Sequence, residues 1–450
     1  MTTMSDESLM KKIKKNIYGK SQTVKITFPA GLGSIALLEI KSILGSLWFA
    51  KKLSSDCFVS KNEIIIENIH MVAIMELLMR NQCFSDIRLV VFRGKTIDKY
   101  IFEKKCREIE WDFYINKKMS LKLKIDSVAS KAFHETALKK ILADSVKNYV
   151  SEVVSGENSI ATTCIYADLY KNKLTLSISL AGEPLYKRGY RGTLSASAPL
   201  KEDAAACCIQ SALQFAATLQ KDFIPNTVII PFSGTGTFAF EMLQFYFQLS
   251  PVLFEREYAL QKMSFFGKES FNFLVKKADE NCLLDKDRIN EIRICCIDNS
   301  KNANIALLEN ITNFKKILAK QTTEIVDELF VRDLKTDQPF FAKDFLTMDM
   351  TKIISDKAKR FGNIFIPLNP PYGIRLNRTS DSVDLYKNIA RKINEISDLT
   401  KREQKHLCGF ILCPTEETWS AFVKQLHYLK IETYHFTQGG LDIRVCQFFA

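Results

Sequence analysis

The sequence predicts an α/β protein in two parts: an α+β first half, and a doubly wound, largely parallel sheet in the second half. From residue 201 onward, segments with helical spacing alternate with short apolar runs of strand length. Such alternation is typical of a parallel sheet covered by helices on both faces. The chain of 450 residues is also too long for one ordinary core, so we expect two or three domains.

The first half is predicted to mix helices and strands without that regular alternation. Its elements are a strand, a helix and a strand from Val24 to Ile66, a helix at Met71–Asn81, a strand at Asp86–Phe92, a helix at Phe133–Val150, and strands at Thr163–Leu169 and Leu174–Leu180. Lys171-Asn172 joins the last two strands as a hairpin turn. Residues 1–21 are expected to fray, and residues 182–200, which are rich in Gly, Ser and Pro, to form a linker.

The second half is predicted to place its ligand beyond the carboxyl ends of its strands. The predicted strands are Thr227–Ile230, Ile292–Ile297, Phe345–Met348, Asn363–Leu368, Phe410–Leu412, Ile431–Phe436 and Val445–Phe449. The predicted helices are Glu202–Leu219, Thr237–Phe247, Asn302–Leu318, Val383–Ile396 and Thr418–Tyr428. Residues 245–290 interrupt the alternation, and their many phenylalanines predict an inserted helical cap.

A glycine loop follows the first of these strands and opens a helix. It consists of Pro231, Phe232, Ser233, Gly234, Thr235, Gly236 and Thr237. The glycines let the backbone approach a ligand closely, and a helix N-terminus favours an anionic group. The loop also fits a dinucleotide-binding pattern, so it leaves an NAD enzyme open, whereas the absence of a following Gly-Lys-Ser/Thr excludes a P-loop.

Two aspartates end the next two predicted strands. Asp298 can accept hydrogen bonds from both hydroxyls of a ribose, and Asp349 can accept one from an adenine amine. The alternative for each aspartate alone is a capping or turn residue. Their order along the chain, after the glycine loop and before Asn369, favours one shared site.

The most informative motif is Asn369-Pro370-Pro371-Tyr372, which follows the apolar run Ile364–Leu368. The amine of a nucleobase is a poor nucleophile, because its lone pair is delocalised into the ring. A methylating site must accept both N–H bonds and hold the base flat. The Asn369 side chain and the Pro370 carbonyl can accept those bonds, and Tyr372 can stack on the base. The motif therefore predicts a clamp for a planar amine.

Charge and composition favour a nucleic-acid partner. The net charge is +12, and residues 1–200 contribute most of it, with 31 Lys and Arg against 20 Asp and Glu. Such an excess suits RNA, although a solvated lysine-rich surface is an equal alternative. No apolar stretch predicts a membrane span or a secretory signal, and none of the five histidines has metal-ligand spacing. The 12 cysteines lack a disulfide pattern, which is typical of a cytoplasmic protein.

The predicted linker carries Lys187, Arg188, Tyr190 and Arg191. Cations that alternate with tyrosines suit a nucleic-acid strand, through phosphate contacts and base stacking. The alternative is an ordinary turn whose arginines lie along the surface. We predict RNA contact at these positions.

The motifs together resemble a known family. The glycine loop, Asp298, Asp349 and the Asn369–Tyr372 clamp resemble the cofactor loop, ribose carboxylate, adenine contact and catalytic tetrad of Rossmann-like S-adenosylmethionine-dependent amino-methyltransferases. In that family Asn369 is implied to lie against the cofactor as well. The continuation Gly373–Leu376 resembles guanine-N2 methyltransferases acting on RNA, with Arg375 as an implied RNA contact.

The resemblance extends to the first half. Residues 179–191 resemble the end of a THUMP domain, an RNA-binding module, and the segment from Gly31 resembles its ferredoxin-like lead-in. Ala198–Glu202 resembles the segment that precedes the family's cofactor loop. The implied domains are 22–66 (ferredoxin-like), 67–181 (THUMP), 182–200 (linker) and 201–450 (methyltransferase). The bacterial THUMP-containing guanine-N2 methyltransferases of 23S rRNA are the most similar type.

The sequence also departs from this family. Ile230 stands where an aspartate is usual, Ser233 where cysteine is common, and Ser300 where a second acid often follows. The alternatives that stay open are a tRNA guanine-N2 methyltransferase, an adenine-N6 DNA methyltransferase and a non-catalytic RNA-binding assembly factor. The sequence leaves the oligomeric state open.

Overall fold

The computed structural model of the protein describes residues 6–49, 56–130, 134–155, 160–193, 200–254, 256–284, 288–318, 323–333, 335–354, 362–372 and 379–450. Arg375, with the rest of Gly373–Leu376, and the Ala198-Pro199 pair lie outside these residues, so the predictions made for them stay predictions. None of the described helices is both long enough and apolar enough to cross a membrane.

The strands of the described residues are β1 (Gln22–Thr27), β2 (Asp56–Val59), β3 (Glu63–Ile69), β4 (Asp86–Lys95), β5 (Ser120–Val128), β6 (Glu152–Val154), β7 (Thr163–Tyr170), β8 (Lys173–Ser179), β9 (Pro225–Pro231), β10 (Arg293–Ile297), β11 (Asn363–Leu368), β12 (Leu407–Cys413), β13 (Lys430–Gln438) and β14 (Leu441–Phe449).

The α-helices are α1 (Asp6–Ile13), α2 (Gly33–Gly45), α3 (Met71–Arg80), α4 (Lys99–Glu108), α5 (Glu135–Val146), α6 (Glu202–Leu219), α7 (Thr237–Tyr246), α8 (Lys268–Glu280), α9 (Lys301–Ile317), α10 (Thr323–Leu329), α11 (Thr351–Ile354), α12 (Thr379–Arg402) and α13 (Glu416–Val423).

The chain divides into two compact units. The first contains residues 1–28, 36–187 and 255–280, and the second contains residues 29–35, 188–254 and 281–450. Residues 255–280, with helix α8, therefore group with the first unit. The prediction that residues 245–290 form a cap on the second half is wrong for this part of the segment.

The first unit is built on one sheet of eight strands in the order β2-β3-β1-β4-β8-β7-β5-β6. This sheet runs through both regions that the resemblance separates, because β1 pairs with β4 across residues 24–27. The predicted β7–β8 hairpin is confirmed: Lys171 and Asn172 have φ values of 47° and 61°, the left-handed pair that a tight two-residue turn requires.

The second unit is built on a sheet in the order β10-β9-β11-β12-β14-β13. The first four strands are parallel, whereas β14 runs antiparallel to both β12 and β13. Phe330 and Phe341 add isolated parallel bridges beside β10. The prediction of a largely parallel, doubly wound sheet in the second half is confirmed.

The parallel strands β9, β10, β11 and β12 are buried at nearly every position and are largely apolar, whereas the edge strand β13 is mostly exposed. Cys408 of β12 contacts the backbone of Ala212 in α6 on one face. The alternate residues of β12, including Ile411, pack on the other face with Tyr386 and Ile389 of α12. The strand tips are thus held by a closely packed layer beneath them.

One predicted strand is absent. Phe345–Met348 lies in a turn, in which the Asp344 carboxylate accepts the backbone N–H of Leu346 at 3.0 Å. The Asp344 carbonyl accepts the N–H of Thr347 at 3.2 Å. An aspartate that bonds its own following backbone competes with strand pairing, which explains why this apolar run turns.

Candidate active site

Three parallel strands place their carboxyl ends side by side at one edge of the second unit's sheet. β9 lies between β10 and β11, with Ile297 beside Pro231 and Phe365 beside Val228. The glycine loop, Asp298 and Asn369 follow these three strands directly. Neighbouring strands lie about 5 Å apart, so the structure brings all three sequence-predicted features to one edge.

The glycine loop adopts a tight left-handed path. Phe232, Gly234 and Gly236 have φ values of 54°, 53° and 85°, and the Gly236 N–H donates to the Ser233 carbonyl at 2.8 Å. A Cβ at Gly236 would lie 2.5 Å from Leu307 Cδ1, so the Leu307 side chain would have to shift, and the left-handed φ of this residue also favours glycine. A Cβ at Gly234 would find nothing closer than the Phe232 carbonyl at 3.9 Å, which leaves an open cradle above the loop.

Asp298 links the glycine loop to its own strand. One carboxylate oxygen accepts the Gly234 N–H at 2.9 Å, and the other accepts the Ser300 N–H at 2.8 Å. Each oxygen keeps a lone pair for a further donor, such as a ribose hydroxyl. Asn304 of α9 supports this position by donating to the Asp298 carbonyl at 3.0 Å.

Asp349 is placed differently from the prediction. Because Phe345–Met348 is a turn, Asp349 does not end a strand, and its carboxylate accepts the Thr351 N–H at 2.9 Å. This i to i+2 bond is an Asx-turn that leads into the short helix α11, so Asp349 has the turn role that the sequence left open as an alternative. A contact between Asp349 and an adenine stays a prediction.

The clamp combines rigid backbone with a free acceptor. Pro370 is buried, Pro371 is exposed, and Asn369 and Tyr372 are half-buried. Among the residues that the structure describes, none donates a hydrogen bond to the buried Asn369 Oδ1. An unpaired buried amide oxygen costs about 1–3 kcal/mol of stability, so this position fits a donor that arrives with a ligand. Burial raises the pKa of Tyr372, which therefore stays a neutral ring.

Local contacts explain two of the three positions at which this sequence departs from the family that it resembles. Ile230 is fully buried within β9, and Ser300 caps α9 by accepting the Ala303 N–H at 3.3 Å. The Ser233 hydroxyl is buried and has no hydrogen-bond partner within the described ranges. A second unpaired polar atom thus lies on the loop at the same sheet edge as Asn369.

The predicted RNA contacts at Arg188 and Tyr190 are wrong. These residues are 3% and 1% exposed, and Arg188 Nη2 and Tyr190 Oη each donate to the Glu241 carboxylate at 3.3 Å. The buried carboxylate of Glu241 supplies the physical reason, because it stabilises the two donors inside the unit. Arg191 is also turned inward, to Glu202, whereas Lys187 is exposed and pairs with Glu183.

The sequence analysis missed four buried polar residues that support the loop: Glu202, Glu241, Asn304 and Asn310. All four lie on helices α6, α7 and α9, and their side chains are almost completely buried. The signal that could have identified them is a charged or amide residue on the apolar face of a helix, where burial requires a partner.

Comparison with known proteins identifies similar sequences and solved structures with a similar fold. No protein-family model matches the chain. The chain is 24% identical over 311 residues to the ribosomal RNA large subunit methyltransferase K/L of Psychromonas ingrahamii, and the alignment covers 68% of this chain and 36% of that protein. This chain therefore spans about a third of the length of the curated relative.

Solved structures match a larger share of this chain than the curated relative does. SMU.472, a proposed methyltransferase complexed with SAH, superimposes with a TM-score of 0.69 at 19% identity and covers 95% of this chain and 98% of its own. A possible methylase from Clostridium difficile 630 gives the same TM-score, identity and coverage. The chain has the fold of these methyltransferase structures, which confirms the predicted Rossmann-like fold class.

Proposed function

We propose that this protein is an S-adenosylmethionine-dependent methyltransferase that forms N2-methylguanosine in RNA, with 23S rRNA as the substrate. The observation that carries the proposal is the buried Oδ1 of Asn369 at the tip of β11, which has no hydrogen-bond partner among the residues that the structure describes. The relatives named ribosomal RNA large subunit methyltransferase K/L support the substrate class.

The glycine loop and Asp298 fit the methyl donor. The open cradle above Gly234 leaves room for the methyl donor to approach the loop backbone, and the Asp298 carboxylate has lone pairs that can accept from the ribose hydroxyls of the donor. The donor would supply an electrophilic methyl group when bound. Asp349, which is exposed at the same unit's surface, is proposed to accept from the adenine amine.

The clamp would orient the guanine amine. Asn369 Oδ1 accepts one N–H, the Pro370 carbonyl accepts the other, and the Tyr372 ring lies against the base. By accepting the two N–H bonds, these groups increase the electron density on the amine nitrogen. They also stabilise the positive charge that develops on this nitrogen during methyl transfer. The nitrogen–methyl bond would form as the sulfur–methyl bond of the donor breaks, with SAH as the leaving group. The amine proton becomes acidic only as the new bond forms and would pass to water, so the neutral Tyr372 phenol is not required as a base.

The first unit is proposed to bind the RNA. Residues 22–66 and 67–181, taken as the ferredoxin-like and THUMP regions, share one sheet and so would act as a single body. The basic excess in residues 1–200 supports this assignment, and Lys187 is an exposed cation that phosphate can reach. Arg375, which follows the clamp in the sequence, is proposed as a further RNA contact.

Replacement of Asn369 tests the proposed chemistry. We expect Asn369→Ala to lower methyl transfer to large-subunit rRNA about a hundredfold or more, because a group aligned only for the transition state is removed. Donor affinity, measured by calorimetry, should stay near that of the unmodified protein. The measurement is incorporation of a labelled methyl group, followed by nucleoside mass spectrometry of the RNA.

Asn388→Ala is the matched control, because Asn388 is an exposed residue on α12 of the same unit whose side chain accepts a hydrogen bond from Arg391 at 2.9 Å. Full turnover by Asn369→Ala would contradict the assignment. An N6-methyladenine product would move the specificity from guanine to adenine, and methylation of tRNA alone would replace the proposed substrate.

A further inference from the structure

Residues 188–193, here called the strap, are fastened into the second unit along most of their length. Arg188 and Tyr190 bond the buried Glu241 of α7. The Gly192 N–H donates to Asn310 Oδ1 at 2.7 Å. The strap therefore follows helices α7 and α9, which flank the glycine loop, and its inward contacts need an explanation other than RNA binding.

Arg191 contacts the first turns of two helices. Its Nε donates to Glu202 Oε1 at 2.9 Å, at the start of α6. Its Nη2 donates to the Leu200 carbonyl at 3.1 Å and to Thr237 Oγ1 at 3.3 Å. Thr237 is the first residue of α7 and directly follows Gly236. The planar guanidinium thus fixes the end of the glycine loop relative to α6.

Asn310 holds the other side of the same glycine. Its Nδ2 donates to the Thr235 carbonyl at 2.8 Å, while its Oδ1 accepts from Gly192. Thr235 and Thr237 lie on either side of Gly236. Thr237 is bonded to Arg191 of the strap, and Thr235 is bonded to Asn310, which also bonds Gly192 of the strap. Gly236 is the left-handed residue on which the loop's path depends.

The position of this network matters because of Ile230. The related family usually has an aspartate there, and in this chain a buried aliphatic side chain takes its place. An isoleucine cannot bond the loop or the donor. Besides the backbone bond from the Ser233 N–H to the Ile297 carbonyl, side-chain bonds restrain the loop from Asp298 on one side and from Arg191 and Asn310 on the other.

We infer that Arg191 is a positioning residue for the methyl donor, and that the strap fixes the glycine loop instead of contacting RNA. The inference rests on the proposed function, since it assigns the donor to this loop. Arg191 acts through Thr237, and Asn310 acts through Thr235. Lysine cannot replace Arg191, because a single ammonium group cannot reach Glu202, Leu200 and Thr237 with the geometry of the guanidinium fork.

The test compares donor affinity with RNA affinity. We expect Arg191→Lys to weaken binding of both S-adenosylmethionine and SAH about tenfold in calorimetry, as the loss of a charge-assisted bond predicts. Asn310→Ala should weaken donor binding similarly through the other side of Gly236. RNA affinity, measured by filter binding with large-subunit rRNA, should change less than about twofold in both variants.

Arg332→Lys is the matched control, because Arg332 is an exposed arginine of the same unit that pairs with Asp337. Thermal melting with and without SAH separates positioning from folding. A role in folding alone would lower the melting temperature without ligand but leave the SAH-induced increase unchanged. A positioning role reduces that increase.

Two results would overturn the inference: weaker RNA binding with unchanged donor affinity in Arg191→Lys, or an unchanged SAH-induced increase in both variants. Failure of the unmodified protein to bind S-adenosylmethionine would instead reject the proposed function. The two failures are distinguishable, since the second appears before any substitution is made.

Discussion

The glycine loop and the clamp follow neighbouring strands of one sheet, yet they are held in different ways. The loop is held by hydrogen bonds: Gly234 donates to Asp298, and Thr235 and Thr237 bond Asn310 and Arg191. The clamp is held by the buried strand β11 and two prolines, and its Asn369 oxygen keeps no partner among the described residues. The loop is therefore built in advance, whereas the clamp is proposed to be completed by its ligand.

This difference predicts different outcomes on mutation. Changes at the loop should alter donor affinity and stability, because its bonds exist before any ligand binds. Changes at the clamp should alter turnover with little effect on stability, because an unpaired buried acceptor already costs free energy in the free protein. Substitutions at the loop can test this contrast.

The largest expected effect on stability comes from Gly236→Ala, with Gly234→Ala as its matched partner. Both glycines are left-handed, so alanine costs about 1 kcal/mol at each from backbone strain. Only at Gly236 does the new Cβ also meet Leu307, at 2.5 Å, and this overpacking raises the expected loss of unfolding free energy to about 3 kcal/mol.

Urea denaturation measures both losses. Gly234→Ala should in turn weaken donor binding more than its small effect on stability suggests, because its Cβ enters the open cradle. Equal stability losses in the two variants would show that crowding at Leu307 does not shape the loop.

The next effect is expected for Asp298→Asn. The carboxylate accepts from both Gly234 and Ser300, and the amide has only one oxygen to offer. We expect donor affinity to fall by about 2 kcal/mol, or about thirtyfold in the dissociation constant, in calorimetry with SAH. Asp384→Asn, at an exposed ion pair on α12, is the control. An unchanged affinity would place the ribose elsewhere.

The sequence predicted the strand tips of the candidate site correctly, and it failed where a side-chain hydrogen bond that the apolar pattern does not reveal decides the structure. The β9, β10 and β11 tips were predicted because each apolar run ends directly in its polar residue. Phe345–Met348 was predicted as a strand because its apolar pattern hides the turn that the preceding Asp344 forms. A pattern of apolar residues does not report a competing side-chain bond.

The failure at Arg188 and Tyr190 has a different cause. Their partner, Glu241, lies 53 and 51 residues further along the chain, within an apolar helix. Cations and tyrosines in a glycine-rich segment look the same whether they contact RNA or a buried acid. Only the fold brings Glu241 to them, so local spacing could not decide between the two interpretations.

The smallest expected effect concerns the acidity of Glu241. Burial raises the pKa of Glu241 from 4.5 to about 7, although the Arg188 guanidinium opposes this rise, and the nearby Glu202 adds to it. A carboxyl whose pKa is higher in the folded state stabilises the fold fully below pH 4.5, and this contribution is lost as the pH rises to 7. The unfolding free energy should therefore fall across this range, by an amount on the order of 2 kcal/mol.

Glu241→Gln should flatten this dependence, because glutamine resembles the protonated acid and does not titrate. Chemical denaturation at several pH values between 4.5 and 7 measures the slope, and the exposed Glu395→Gln serves as the control that should leave it unchanged. An identical slope in Glu241→Gln and the unmodified protein would mean that the buried acid stays ionised beside Arg188 at every pH tested, and that the strap is held by a permanent ion pair.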